Sequence, residues 1–191
     1  AVAQYATQAG NSFLTDKTKD AITFLKLITQ KYDVATANPP YTDSADFGPE
    51  LRKYIEGNYK KPFAFHTNLY ATFIKRCFEL TNENGKVAMI HPHTFMFIKT
   101  FEDVRKFMIE KSHIDVMVDF GLDRVNLFGP GILLDATFYV LSKEKSEDKN
   151  LYFNLTTNLQ EKAKKEKFFE ALSDHIEGIN NERVYQLEQS K

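Results

Sequence analysis

The chain has 191 residues, with 25 basic and 26 acidic side chains, a formal net charge of −1 and a single cysteine, Cys77. That length suffices for one domain with a real core, or for a piece of a larger enzyme, and the balanced charge excludes a grip on nucleic acid by net charge alone while leaving local patches open. One cysteine excludes an internal disulfide framework and fits a reducing cytoplasm, and no stretch reaches the apolar length of a membrane span. Residues 1–11 are small and polar. From Asp16 to Gln30, Ala21, Ile22, Leu25 and Ile28 recur at helical spacing and predict an amphipathic helix. Tyr32 to Ala37 reads as a short buried strand whose ladder is ended by Pro39 and Pro40. Pro49 opens a helix through Ile55 that Gly57 and Asn58 close, and Asn68 to Thr81 is a stronger helix with Gly85 just beyond it. Lys86 to Ile90 is a second buried strand, closed by His91 and Pro92. Thr100 and Asp103 resemble a capping box for a helix through Lys111. Ile114 to Phe120 and Asp135 to Ser142 are the third and fourth strands. After Lys143 come a polar linker over Ser146 to Asn150, a short strand over Leu151 to Leu155, and a charged helix over Glu161 to Leu172.

Strands alternating with crossover-length helices predict a mainly parallel, three-layer α/β sheet. The last two strands have no helix pattern between them, so the final strand is expected to be antiparallel.

The stretch Asn38-Pro39-Pro40-Tyr41 lies at the carboxyl end of the first strand, where open α/β sheets bind ligands. Its composition suits methylation of an adenine amino group. The N6 lone pair is delocalised into the ring, and two acceptors aimed at the two N6 hydrogens draw that nitrogen toward a tetrahedral, nucleophilic shape. Asn38 offers a side-chain carbonyl and Pro39 a backbone carbonyl. The prolines remove competing N–H donors and fix the turn before substrate arrives. Tyr41 offers an aromatic face to an extruded base.

With that motif in place, residues 31–145 resemble the second half of the Rossmann-like catalytic domain of S-adenosylmethionine-dependent DNA methyltransferases that modify amino groups. Asn38 to Tyr41 matches the catalytic motif. Asn68-Leu69-Tyr70-Ala71-Thr72-Phe73-Ile74 is similar to the helix that follows it, where the family usually has Asp-Leu-Tyr. Gly85 to Ile90, Asp119-Phe120-Gly121, Val125 to Phe128 and Ala136 to Ser142 resemble the later motifs. Within that class the chain resembles the large adenine methyltransferases of BREX-type phage-defence systems and type IIG restriction-modification enzymes. The resemblance implies an α/β fold that is the C-terminal half of the methyltransferase sheet, with an antiparallel last strand. It implies that Asn38 and Pro39 contact N6, that Tyr41 and Pro40 line the base, and that Phe128 covers its other face. The implied partner is double-stranded DNA with a flipped adenine, alongside defence-system subunits, and the implied cofactor is S-adenosylmethionine. The family binds that cofactor mainly through a glycine-rich loop after an earlier strand. No such loop precedes Asp33, so the cofactor half is expected upstream and the chain is read as a catalytic-half fragment. The expected divisions are 1–30 as a helical lead-in, 31–145 as the catalytic half, and 146–191 as a linker and the start of a following segment. In such a fragment the first strand becomes a sheet edge, covered by the N-terminal segment, by disorder or by a second copy in a dimer.

The other constellations read as background. His91 and His93, two apart on a strand, would share a face but have no Cys, Asp or Glu at ligand spacing. They read as polar residues at the mouth of the base pocket. Arg52, Lys53, Lys60 and Lys61 can touch DNA phosphates or form a solvated face. The run Lys162 to Lys167 reads as a soluble helix surface, and Cys77 as a buried structural thiol. Two alternatives stay open: a protein-glutamine methyltransferase of the same motif class, and an inactive methyltransferase-like module that binds DNA or a partner.

Overall fold

The structure is a computed structural model that describes residues 12–121, 135–156 and 161–189. It comprises two compact units, Ala1–Tyr32 and Asp33–Lys191. The first is dominated by helix α1 (Ser12–Thr29), whose last turn is closed by the Thr29 hydroxyl donating to the Leu25 carbonyl at 2.6 Å. Its side chains Ile22, Phe24, Leu25 and Leu27 are exposed.

The second unit is built on a six-stranded sheet in the order β1-β2-β4-β3-β5-β6. In chain order its elements are β1 (Tyr32–Ala37), which begins at the unit boundary, α2 (Pro49–Tyr59), α3 (Leu69–Leu80), β2 (Thr81–Pro92), α4 (Glu102–Lys111), β3 (His113–Gly121), β4 (Ala136–Ser142), β5 (Asn150–Asn154), α5 (Glu161–Ile176) and β6 (Val184–Leu187). The antiparallel strand expected over Asp135 to Ser142 is β4, and it lies between β2 and β3. Tyr139 sits opposite Met89 on one side and Met117 on the other, and both pairings are antiparallel. β2 and β3 therefore run the same way, with one strand's width left between them that β4 fills. Beyond β3 the sheet continues with β5 in parallel and β6 antiparallel to β5. Strand β6 is four residues long with most side chains exposed, so its sequence carries no alternating pattern to read.

Met117 and Val118, neighbours on β3, belong to different apolar clusters. Successive side chains on a strand point to opposite faces, so the sheet is buried on both. The larger cluster packs Ile55, Phe65, Ile74, Val87, Phe107 and Tyr139 between α2, α3, α4 and one face. The smaller joins Val118 and Phe153 to Ala171 and Phe168 of α5 on the other. Full burial of each such side chain contributes about 1.5–3 kcal/mol.

Three local expectations are corrected. Strand β1 is not buried: Val34 is 58% exposed, and Asp33 and Thr36 face solvent. β1 ends the sheet, with β2 as its neighbour on one side only among the described strands. Helix α2 continues through Gly57 and Asn58, because buried Ile55 and Tyr59 hold its last turn and Asn58 bonds back to the Tyr54 carbonyl at 2.7 Å. Thr100 and Asp103 form no capping box. The chain enters α4 through a 3-10 turn (Lys99–Phe101), and the cap position, Phe101, makes no side-chain cap bond.

Where β2 meets β1, Gly85 leaves no room for a side chain. A Cβ there would lie 2.2 Å from Thr81 Cγ2 and 2.8 Å from the Asp33 carbonyl oxygen.

Candidate active site

Strand β1 delivers Asn38-Pro39-Pro40-Tyr41 at its carboxyl end, with Pro39 buried, Tyr41 half-buried and Asn38 and Pro40 exposed. The Tyr41 hydroxyl donates to Asn38 Oδ1 at 2.6 Å. Burial raises the Tyr41 phenol above its ordinary pKa, so the group keeps its proton and remains a donor. The bond orients the Asn38 carboxamide and leaves a second lone pair on Oδ1 for an incoming N–H.

The chain beyond the motif is laced to the start of α3. Ser44 N donates to Thr67 O at 3.1 Å and Leu69 N to Thr42 O at 2.9 Å. Between them, Asn68 Nδ2 donates to the Tyr41 carbonyl at 3.3 Å while its Oδ1 accepts from Tyr70 N at 3.1 Å. Asp43 accepts from Ala45 N and starts the short turn Ser44–Asp46, to which Arg52 of α2 is tied through the Ala45 carbonyl at 3.1 Å. Lys53, Lys60 and Lys61 are exposed on and just after α2.

Behind the motif lies a column of buried rings. Tyr70 meets Tyr41 edge-on at 6.4 Å and lies flat on His91, with centroids 4.5 Å apart and planes 12° from parallel. His91 Nδ1 faces the Pro92 carbonyl at 3.0 Å, and Nε2 faces the Tyr139 hydroxyl at 2.8 Å. A carbonyl only accepts, so Nδ1 carries the proton and Nε2 accepts from Tyr139. Burial lowers the His91 pKa to about 4 and leaves the ring neutral.

The expectation that His91 and His93 share a face at the pocket mouth is therefore corrected. His91 is in the core, whereas His93 lies past the strand in the 3-10 turn His93–Met96. There its Nδ1 meets Asp119 Oδ1 at 2.8 Å and its Nε2 meets Asp135 Oδ2 at 3.7 Å. Among the described residues no cluster of three His, Cys, Asp or Glu side chains is placed to hold a metal ion. In the run Lys162 to Lys167, Lys164 is buried rather than a surface residue, and it donates to the Phe120 carbonyl at 2.5 Å. Cys77 is buried and burial raises its thiol pKa, which suits a packing role. Phe128 lies outside the described residues.

Asn38 stands at the rim of a cleft of about 380 Å³ lined by Thr36, Ala37, Ala88, Met89, Ile90, Phe138 and Tyr139. The lining has no carboxylate for ribose hydroxyls and no glycine-rich turn. The residues lining this cleft therefore do not fit the binding set of S-adenosylmethionine. The sequence pointed to the motif but not to its support. Asn68 reads as a helix cap from spacing alone, and nothing in the order of residues announces the stack of Tyr70 on His91.

The sequence profile of the Eco57I restriction-modification methylases matches residues 5–128, a span that includes the motif, α3, β2, α4 and β3. The chain belongs to this family. Family membership agrees with a relative, the adenine-specific methyltransferase PglX of Lacticaseibacillus casei (strain Zhang), which is 29% identical over 166 residues. That match takes in 86% of this chain but 13% of PglX. The fold is that of class I methyltransferases. A putative class I S-adenosylmethionine-dependent methyltransferase from Listeria monocytogenes superposes with a TM-score of 0.51 at 19% identity, over 76% of this chain and 42% of the other. The ATP-dependent Type ISP restriction-modification enzyme LlaBIII bound to DNA superposes with a TM-score of 0.63 at 14% identity, over 91% of this chain and 13% of that one. The chain thus spans a small part of the large family members it matches.

Proposed function

We propose that this chain is the substrate-side part of a DNA adenine-N6 methyltransferase of a restriction-modification or phage-defence system. The observation that carries the reading is the Asn38 carboxamide oxygen, held by the Tyr41 hydroxyl at 2.6 Å, at the end of β1 and the rim of the cleft. PglX supports the choice of adenine, and LlaBIII supports DNA as the partner.

In this reading an adenine leaves the duplex and enters beside the motif, at a cost of about a few kcal/mol for unstacking. Asn38 Oδ1 and the Pro39 carbonyl accept the two N6 hydrogens and localise the lone pair on nitrogen. Tyr41 donates to Asn38 from its edge and offers its ring to the base, with Pro40 at the border and Phe128 as the candidate for the opposite face. Lys53, Lys60 and Lys61 contact phosphates flanking the flipped nucleotide. The methyl donor is S-adenosylmethionine, and because the lining of the cleft beside Asn38 lacks its binding set, activation of the acceptor is the share of the reaction assigned here.

The test is Asn38→Ala in the full-length enzyme, read by methylation-sensitive sequencing of host DNA. Loss of N6-methyladenine with the unfolding transition unchanged supports the assignment. Retained methylation at the parent level removes Asn38 from the role.

A further inference from the structure

The turn after β2 places the His93 imidazole between the ends of two other strands. Its Nδ1 meets Asp119 Oδ1 at 2.8 Å, near the end of β3, and its Nε2 lies 3.7 Å from Asp135 Oδ2, one residue before β4. A carboxylate only accepts, so Nδ1 carries the hydrogen and donates it to Asp119. We propose that His93 is a positioning residue for the acceptor site, its imidazole tying the end of β3 to the β2–β4 corner beside the cleft. The inference rests on the reading of Asn38 to Tyr41 as the methyl-acceptor site.

The tie falls where the backbone ladder becomes irregular. Asp119 stands opposite Thr137 of β4, but the register slips between Asp119 and Gly121, and the chain leaves β3 through Gly121 at φ +65°. Buried Asp119 gathers this end of the strand, since its Oδ1 accepts from Gly121 N at 2.8 Å as well as from His93. The His93 backbone N–H donates to the Asp135 carbonyl at 2.6 Å, so the residue is already joined to the start of β4. Its side chain adds a link from that corner to the carboxylate that holds Gly121.

The same corner walls the cleft. Phe138 of β4 and Ile90 of β2 line the cleft beside Asn38 and stand opposite each other in the ladder, with Val118 of β3 on the other side of Phe138. The ladder between β2 and β4 ends close by, at Pro92 and Ala136, and element ends are where structure opens most readily. A displacement of about 1 Å at a reacting group can cost on the order of 100-fold in rate. A brace at the ladder's end therefore acts on turnover through the shape of the cleft, without touching the base.

The experiment measures kcat and KM for His93→Ala and His93→Asn in the full-length enzyme, on DNA containing one methylation site. Asparagine sets its Nδ2 donor as many bonds from the backbone as Nδ1 and so restores the bond to Asp119, whereas alanine removes it. His93→Ala should lower kcat by more than about threefold with KM for DNA within about threefold, and His93→Asn should return kcat to within about threefold of the parent. A kcat for His93→Ala within about threefold of the parent overturns the proposal, as does a His93→Asn no faster than His93→Ala. An effect confined to KM also overturns it. If His93→Ala does not fold, His93→Gln takes its place, because its amide lies one bond farther out; equal kcat for the Gln and Asn variants then overturns the proposal, and a faster Asn variant supports it. A parent enzyme that forms no N6-methyladenine refutes the functional reading instead. The tie is then decided by hydrogen–deuterium exchange of residues 117–121, where faster exchange in His93→Ala than in His93→Asn supports it and equal exchange overturns it.

Discussion

His91 makes the stability of this fold depend on acid in a way that can be worked out from its surroundings. Its native pKa is lowered to about 4 by burial, against an ordinary value of 6.5. Between those values the unfolded chain binds a proton that the native chain does not, so His91 stabilises the fold fully above pH 6.5 and loses that contribution as pH falls toward 4. At ~1.36 kcal/mol per pKa unit the whole window is worth about 3 kcal/mol, of which about 2 kcal/mol is lost between pH 7 and pH 5. The perturbation is the double substitution His91→Phe with Tyr139→Phe. It keeps a ring under Tyr70 and removes both ends of the His91–Tyr139 hydrogen bond, so no buried hydroxyl is left without a partner. Urea unfolding at pH 7 and pH 5 is the assay. His66, whose pKa is also lowered, first by burial and then by Lys60, is present in both proteins and cancels in the comparison. The parent should lose about 2 kcal/mol more than the variant between the two pH values. A difference below about 0.5 kcal/mol would refute the claim that a buried neutral His91 sets the slope.

Tyr41→Phe in the full-length enzyme keeps the ring and removes the donor to Asn38. A typical net hydrogen bond, about 1 kcal/mol, predicts a kcat lower by roughly 3- to 10-fold with DNA affinity unchanged, and an unaltered kcat would show that Asn38 needs no such orientation. Replacing Lys60 and Lys61 with alanine should lower the slope of log affinity against log salt by about 1 to 2 for any DNA sequence, as measured by fluorescence anisotropy; an unchanged slope would place these lysines off the DNA. Gly85→Ala forces a Cβ to within 2.2 Å of Thr81 Cγ2 and 2.8 Å of the Asp33 carbonyl, across the seam between β1 and β2. The expected loss is about 1–3 kcal/mol in thermal unfolding, partly relieved by Thr81→Ser, which removes the clashing methyl and keeps the hydroxyl bond to the Cys77 carbonyl.

Much of this architecture is written in local pattern. The run Tyr32 to Ala37, the periodicity of α3 and the lack of a helical sequence pattern between Phe120 and Asp135 give strands β1 to β5, the crossovers and the antiparallel β4 directly, while β6 is not read. The place of β4 between β2 and β3 does not follow from pattern, because it depends on which gap the α4 crossover leaves. The edge position of β1 was expected, but the exposure of Val34 was hidden, because an apolar residue on an edge strand reads the same whether its face is covered or open. At the site, the motif is legible because its residue types are rare together. The lacing of Asn68 to Tyr41 joins positions 27 apart and exists only once the loop has folded back. His91 and His93 misled because strand spacing says nothing about where the strand stops. The chain turns at Pro92, which sends one imidazole into the core and the other to a pair of aspartates.

The insertion of β4 bears on how the protein is made. A nascent chain that has emerged only as far as Gly121 holds the motif, α3, β2 and β3, yet nothing bridges β2 to β3. His91 then has no Tyr139 to bond, and the ring stack behind the motif is unsupported. Synthesis proceeds N-terminal first, so Asn38 to Tyr41, proposed to hold the base, leave the ribosome before β4. They are locked late, when Ala136–Ser142 slides into the gap and joins the sheet on both sides at once.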